Sequence, residues 1–278
     1  MPTEPGITQK PRGYVLGHDE RELRRLGTQA RLIDPITRRF IVASGVIPGM
    51  RVLDIGSGAG DVAFLAADVV GDGGSVTGVD RAPDAIATAT AAALARGLSN
   101  VRFVADDLAN PVIAQRFDAV IGRYVLQWLP DPAGTVRTLA RQLEPGGVMV
   151  FHEVDWGGSS SYPPAPLFDT TCHWVAETIR RSGAETRGTT LYGTFERAGL
   201  GPPSLRLEAV VGGGPDAAPI DLVADLALTV GPAAETFGIA SIGELDLDTL
   251  HARLRAEVAA TGSVLVARGE VGAWVRLP

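Results

Sequence analysis

The sequence contains a single cysteine, Cys172, so no disulfide can close within the chain. It has no tract of five or more basic residues, and 25 lysines and arginines face 32 acidic residues, for a net charge of -7. That balance excludes a nucleic-acid partner on electrostatic grounds. No uninterrupted apolar run is long enough to span a bilayer, and the opening stretch "MPTEPGITQKPRGYV" lacks the apolar core of a signal peptide. These absences lead us to expect a soluble, cytoplasmic protein with no membrane association. Internal repeats are also missing.

What is present suits a folded enzyme-sized core: 278 residues, 45% of them hydrophobic, are enough for one large α/β domain with insertions or for two small domains. The first dozen residues lack periodicity and read as an arm or lid. Leu23, Leu26, Ala30 and Ile33 recur at helical spacing, and Asp34-Pro35 then reads as the N-cap and first turn of another helix. Two short helices are therefore expected before the first strand, and they offer a surface for homo-oligomer formation.

From Met50 onward, "RVLDI", "SVTGVD", "VRFVA", "FDAVIG" and "GVMVFHEV" alternate with segments of helical period. Several of these strands are apolar on both faces, as in a parallel sheet covered by helices on each side. After residue 156 the rhythm changes. "GGSSSYPPAP" reads as a loop, Phe168, Thr171, Val175 and Ile179 form an amphipathic helical stripe, and "SLRLEAVVGGG" and "EVGAWVRLP" read as a final strand pair. The expected architecture is a doubly wound, Rossmann-like α/β fold, with a mostly parallel seven-stranded sheet and an antiparallel last strand. Residues 1–45 would form the arm and helices, 46–156 the ligand-binding core, and 157–278 a helical cap from insertions plus the last two strands.

In such sheets, ligands bind at the carboxyl ends of the strands. The stretch "VLDIGSGAGD" over residues 52–61 ends the first strand, and its charge selects the ligand. A dinucleotide fingerprint needs a small residue where Asp61 stands, and Asp54 would repel a pyrophosphate. A nicotinamide-dependent oxidoreductase is therefore disfavoured, and no G-K-[ST] follows to make a P-loop. Asp80 lies 20 residues beyond Gly60, where a carboxylate can accept both hydroxyls of a ribose. The ligand should then carry a ribose and a positively charged amine but no pyrophosphate, and S-adenosylmethionine fits that description.

Residues 50 to 155 resemble the class I S-adenosylmethionine-dependent methyltransferases through "VLDIGSGAGD", "VTGVDRAPDAI", "VRFVADDLA", "FDAVIGRYVLQWLPDP" and "LEPGGVMVF", in that order. The flanking "YVLGHDERELRRLGTQARL" and "LYGTFERAGLGPP" resemble the branch that holds ubiquinone-biosynthesis-like and natural-product enzymes. The resemblance implies that Gly56, Ser57 and Gly58 pass close to the methionine moiety and that Asp54 orients the turn and the amino group. It implies Asp80 on the ribose, Arg81 against the adenine, Asp106 on the exocyclic amine, and the backbone of Asp107 or Leu108 at the ring. Gly122 and Arg123 would border the methionine tail, while Tyr14 and His18 lie in a segment that closes over the cofactor. A non-catalytic cofactor-binding protein is the competing reading.

Methyl transfer from a sulfonium is an in-line displacement, so proximity and alignment carry most of it. A base is needed only where the acceptor must lose a proton. Glu153 and then His152, at the end of the fifth strand, are the candidates for base or substrate anchor, against a structural hydrogen bond at the strand end. Arg123 would orient a carboxylate of substrate or cofactor, against a surface salt bridge. Trp128, Trp156 and Trp174 suit an aromatic or prenyl-like small-molecule acceptor, methylated at O, N or C, although core packing explains them equally well. Cys172 and His173 adjoin on a helix but face different directions. His152, Glu153 and Asp155 sit on a strand whose neighbours alternate faces, so no metal site is expected.

Overall fold

The computed structural model describes residues 20–106, 115–184, 188–241, 243 and 246–278. The chain begins with α1 (Glu20–Ala43), a single helix of 24 residues that runs through Pro35. The expected break at Asp34-Pro35 does not occur. An interior proline costs about 3 kcal/mol, but Ile33, Ile36, Phe40 and Ile41 are all buried on the same helix. Each such side chain recovers about 1.5–3 kcal/mol, so burial outweighs the lost backbone bond.

Five strands follow the expected segments: β1 (Arg51–Ile55), β2 (Ser75–Asp80), β3 (Val101–Ala105), β4 (Phe117–Arg123) and β5 (Leu143–Asp155). They pair in parallel in the order β3-β2-β1-β4-β5. Helices α2 (Asp61–Val70), α3 (Pro83–Ala95) and α4 (Pro132–Ala140) connect them. Strand β1 alternates between two cores, with Leu53 and Ile55 in one and Val52 in the other. Strand β4 does the same, placing Val120 opposite Ala119 and Ile121. Both faces of this half-sheet are therefore covered, as the two-sided apolar strands require.

The rest of the chain adds β6 (Ser160–Tyr162), β7 (Ser204–Gly213) and β8 (Val264–Arg276), with α5 (Pro166–Arg181), α6 (Leu191–Ala198), α7 (Ala218–Thr236) and α8 (Leu250–Thr261). The sheet is mostly parallel with antiparallel C-terminal strands, and it has eight strands instead of seven. The additional strand, β6, lies in a stretch read as loop, because three residues beside glycines and prolines show no period.

Strand β8 has two edges. One pairs with β7 along most of its length; the other pairs with β5 over Gly269–Arg276 and with β6 over Val264–Val266. Ala267 and Arg268 fall between those two pairings. On the β7 side the register shifts at the same place, leaving Ala267 and Arg268 opposite Val210 alone. This is a β-bulge, a device that re-aims side chains beside functional sites. Helices α5, α7 and α8 share one hydrophobic cluster with α1, built around Phe40, Phe168, Ile220, Leu250 and Leu254.

Candidate active site

The strand order reverses direction between β1 and β4, and the carboxyl ends at such a reversal are where ligands bind in open α/β sheets. The turn that leaves β1 lies there. Gly56 and Gly58 have φ of 62° and 50°, in the left-handed region that favours glycine. At Gly56 a Cβ would lie 2.5 Å from Val125 Cγ2, whereas at Gly58 it would meet no described residue within 4 Å. The turn is tied down by Ser57 N donating to Val79 O at 3.0 Å and Gly58 N donating to Asp80 Oδ2 at 3.0 Å. The other Asp80 oxygen accepts from Ala82 N at 2.9 Å, so this carboxylate joins the glycine turn to the start of α3.

Asp54 lies on the strand just beneath the turn and is 1% exposed. Among the described residues neither of its oxygens has a well-formed hydrogen bond, with only a weak pull from the Ala63 N–H, and the buried Ser57 Oγ has no partner either. Burial pushes the Asp54 carboxyl up to about 8, reinforced by Asp61 and Asp80, while the Arg123 guanidinium pulls the other way. An uncompensated buried carboxylate is costly, and a cation placed on the turn would compensate it.

Arg123, at the end of β4, is not on the surface. Its side chain is 6% exposed, and Nη1 donates to Asp34 Oδ1 at 2.7 Å and to Thr37 Oγ1 at 3.0 Å. Nη2 lies 3.8 Å from Asp61 Oδ2. Arg123 thus joins α1 to the start of α2, and the surface-salt-bridge reading is corrected. Burial, more than Arg123 offsets, raises the Asp34 carboxyl above its ordinary range.

His152 and Glu153 are both buried, on opposite faces of β5. Glu153 Oε1 accepts from Val125 N at 2.9 Å and Leu126 N at 2.8 Å, anchoring the turn that follows β4. Tyr124, at the head of that turn, has φ of 58°, a strained conformation for a residue with a side chain. Such strain concentrates at working sites.

His152 Nε2 is 2.8 Å from Glu270 Oε2, and Nδ1 is 3.1 Å from Thr37 Oγ1. Burial holds the imidazole below its usual range, so it is neutral, and Glu270 is an anion held down by Arg268 and His152 against its burial. An anionic carboxylate only accepts, so the single imidazole proton sits on Nε2 and Nδ1 must accept. Thr37 then donates to Nδ1, sharing its proton with the Ile33 carbonyl at the same 3.1 Å. Glu270 Oε2 also accepts from Tyr124 Oη at 2.6 Å, and Oε1 accepts from Arg268 Nε at 3.0 Å. Arg268 Nη2 donates to Tyr124 Oη at 3.3 Å. The network runs from Arg123 through Thr37, His152, Glu270 and Tyr124 to Arg268.

Of the other expected residues, Arg81 is exposed and Asp106 half-buried, its N donating to Asp80 O at 3.0 Å. Gly122 is interior, where a Cβ would meet Phe151 and Ile55. Tyr14, His18, Asp107 and Leu108 lie outside the described residues. Trp156 joins the site, its Nε1 donating to Gln127 Oε1 at 3.2 Å, whereas Trp174 packs with Ala234 and Ala240. Burial pushes the Cys172 thiol up to about 12, which leaves it inert as a nucleophile. Sequence reasoning missed Asp34, Thr37, Tyr124, Arg268 and Glu270. The one available signal was an arginine and a glutamate two residues apart inside the apolar run of β8, which period two places on one face.

A cavity of about 350 Å³, lined by Ile47, Met50, Asp118 and Glu144, lies at the opposite, amino-terminal ends of β1, β4 and β5. It is remote from the glycine turn, and the strand-end rule assigns it no ligand.

This site and sheet define a cofactor-binding α/β enzyme fold, and comparison with known proteins supplies the family. The chain belongs to the family described as "Methyltransferase domain", whose model matches residues 47–199. Aklanonic acid methyltransferase DauC from Streptomyces sp. (strain C5) is 40% identical over 128 residues, 46% of this chain and 57% of the relative. Nocamycin O-methyltransferase from Saccharothrix syringae is 36% identical over 121 residues, 43% of each chain. The chain thus spans about half the length of these curated relatives. A crystal structure of a putative methyltransferase from Bacillus halodurans C-125 shares the fold, with a TM-score of 0.57 at 19% identity, over 87% of this chain and 98% of the other. The family match ends before β7, α7, α8 and β8.

Proposed function

We propose that this protein is an S-adenosylmethionine-dependent methyltransferase that acts on a small organic acceptor. The observation that carries this reading is Asp54, a buried carboxylate without a well-formed hydrogen bond among the described residues, beneath a glycine turn held by Asp80. The site fits the cofactor on three counts. Asp54 and Ser57 present unsatisfied oxygens to an amino-acid tail, Gly58 leaves space where a side chain would project, and no pyrophosphate would tolerate this much negative charge. When bound, S-adenosylmethionine supplies an activated methyl group.

The residues divide the remaining work. Asp54, Gly56, Ser57 and Gly58 hold the methionine moiety, with Gly122 and Arg123 bordering it. Asp80 keeps lone pairs for a ribose while it fixes the turn, and Arg81 and Asp106 flank the adenine. Tyr14, Asp107 and Leu108 complete the cofactor set in this reading. Glu153 and His152 position groups without taking protons: Glu153 holds the strained turn at Tyr124, and both His152 nitrogens are engaged. Catalysis therefore rests on alignment. The acceptor lies on the side of Tyr124, Trp156 and β8. The same reading divides the chain into arm and helix to residue 45, cofactor core to 156 and acceptor-side segments beyond. It also places the protein in the cytoplasm, with self-association through α1 as the oligomer contact.

Calorimetric titration with S-adenosylhomocysteine tests it. Native protein should bind in the micromolar range, and Asp54→Asn should weaken binding at least tenfold while remaining folded. No binding by native protein would overturn the reading.

A further inference from the structure

One donor in the buried network is unused. Arg268 is 5% exposed, and although its Nε and Nη2 are engaged, its Nη1 has no hydrogen-bond partner among the described residues. A buried guanidinium N–H without an acceptor is unfavourable unless something else supplies the oxygen. Arg268 also lines a cleft between α5, α7 and β8, together with Trp156, Phe168, Cys172, Leu222 and Leu226. Its Cζ stands 4.8 Å from the centroid of the Trp156 ring. The remaining walls are mostly hydrocarbon, so the cleft offers apolar surface with one cationic side chain on its wall.

Two features place this cleft beside the cofactor site. The Tyr124 ring lies between the two arginines, 5.7 Å from Arg123 Cζ and 5.5 Å from Arg268 Cζ. And Arg268 occupies the bulge of β8, in the gap between the β5 and β6 pairings, where its strand is free to re-aim the side chain.

We propose that this cleft receives the methyl acceptor, and that the acceptor is an apolar ring compound bearing an anionic oxygen, a carboxylate or a phenolate, which accepts from Arg268 Nη1. The rings lie against Trp156, Phe168 and the α7 leucines. This assignment rests on the methyltransferase reading and names its substrate class. The cleft encloses only about 20 Å³, so entry of a ring compound requires α5 and α7 to separate. A charge-assisted bond of this kind discriminates an anion from a neutral isostere.

The test compares 2-naphthoate with 2-naphthalenemethanol by calorimetry on the native 278-residue chain. S-adenosylhomocysteine is titrated in parallel on the same samples. Native protein should bind the anion at least about tenfold more tightly than the alcohol. Arg268→Met should erase that preference and leave S-adenosylhomocysteine binding intact. Because Arg268→Met strands Glu270 in the interior, the paired variant Arg268→Met/Glu270→Gln, which removes both charges together, is measured beside it and should behave alike. Equal affinity for both probes, binding of neither, or a preference that survives in the paired variant would overturn the proposal. If the anion preference appears without S-adenosylhomocysteine binding, the cofactor reading fails while the Arg268 site stands.

Discussion

His152 Nε2 lies 2.8 Å from Glu270 Oε2, with both side chains out of water and the two residues on adjacent antiparallel strands, β5 and β8. The pair joins the last strand of the parallel half-sheet to the strand that carries Arg268. In the proposed reading it ties the cofactor side to the acceptor side.

The His152 imidazole is held below its ordinary range in the folded protein. The unfolded chain therefore takes up a proton near pH 6.5 that the folded chain refuses, and the stability His152 contributes is full above that pH and falls below it. The loss is about 1.4 kcal/mol per pH unit until the folded value is reached. Urea unfolding at pH 5, 6 and 7 should show this slope in native protein, and it should flatten in His152→Gln.

Asp54 acts in the opposite direction. Its carboxyl is raised to about 8 when folded, so its stability contribution is full below about pH 4 and is lost as pH rises through 8. Asp54→Asn should therefore stabilise the protein at pH 8 by about 1–3 kcal/mol, since it removes an unpaired buried charge. The same carboxyl must ionise to receive an ammonium, so affinity for S-adenosylhomocysteine should rise by up to about tenfold per pH unit between pH 6 and 8. Calorimetry in buffers of different ionisation enthalpy should register a proton released on binding. A flat pH profile would show that Asp54 does not meet the amino group.

The two glycines of the turn should separate stability from binding. Gly56→Ala meets Val125 and a strained φ, and should cost about 2 kcal/mol or more in thermal or urea unfolding. Gly58→Ala meets only the φ penalty, about 1 kcal/mol, because a Cβ there has open space. That open space is where the cofactor's tail belongs in the proposed reading. Gly58→Ala should therefore lose S-adenosylhomocysteine binding while remaining folded.

Glu153 provides a third contrast. Glu153→Ala leaves the Val125 and Leu126 N–H groups without their acceptor and should destabilise by about 2–4 kcal/mol. Glu153→Gln keeps an acceptor oxygen and should lose less than half of that, with S-adenosylhomocysteine affinity within about threefold of native. Equal losses in the two variants would mean that the negative charge, and not the anchoring of the turn, is what matters.

The parts of the molecule visible in the sequence are those where cause and effect are close along the chain. The turn over 52–61 and its partner Asp80 are local, and the two-sided apolar strands announce a covered parallel sheet. The network around Glu270 was not visible because its bonds span distance: Thr37 and His152 are 115 residues apart, and His152 and Glu270 are 118 apart. No period or motif encodes such a meeting. The continuity of α1 through Pro35 was hidden for the same reason, since the packing that overrides the proline comes from α7, α2 and strands β5, β7 and β8. Strand β6 is defined only by its pairing with β8.

The hydrogen bonds from Arg123 through Thr37 and His152 all point toward Glu270, and so do those from Arg268 through Tyr124. Donors converge on one acceptor from both ends, so no proton can hop along the chain in a single sense without reversing half of its bonds. The network therefore conducts nothing between the two sites. In the proposed reading its part is to hold β4, β5, β8 and α1 in fixed register around the site.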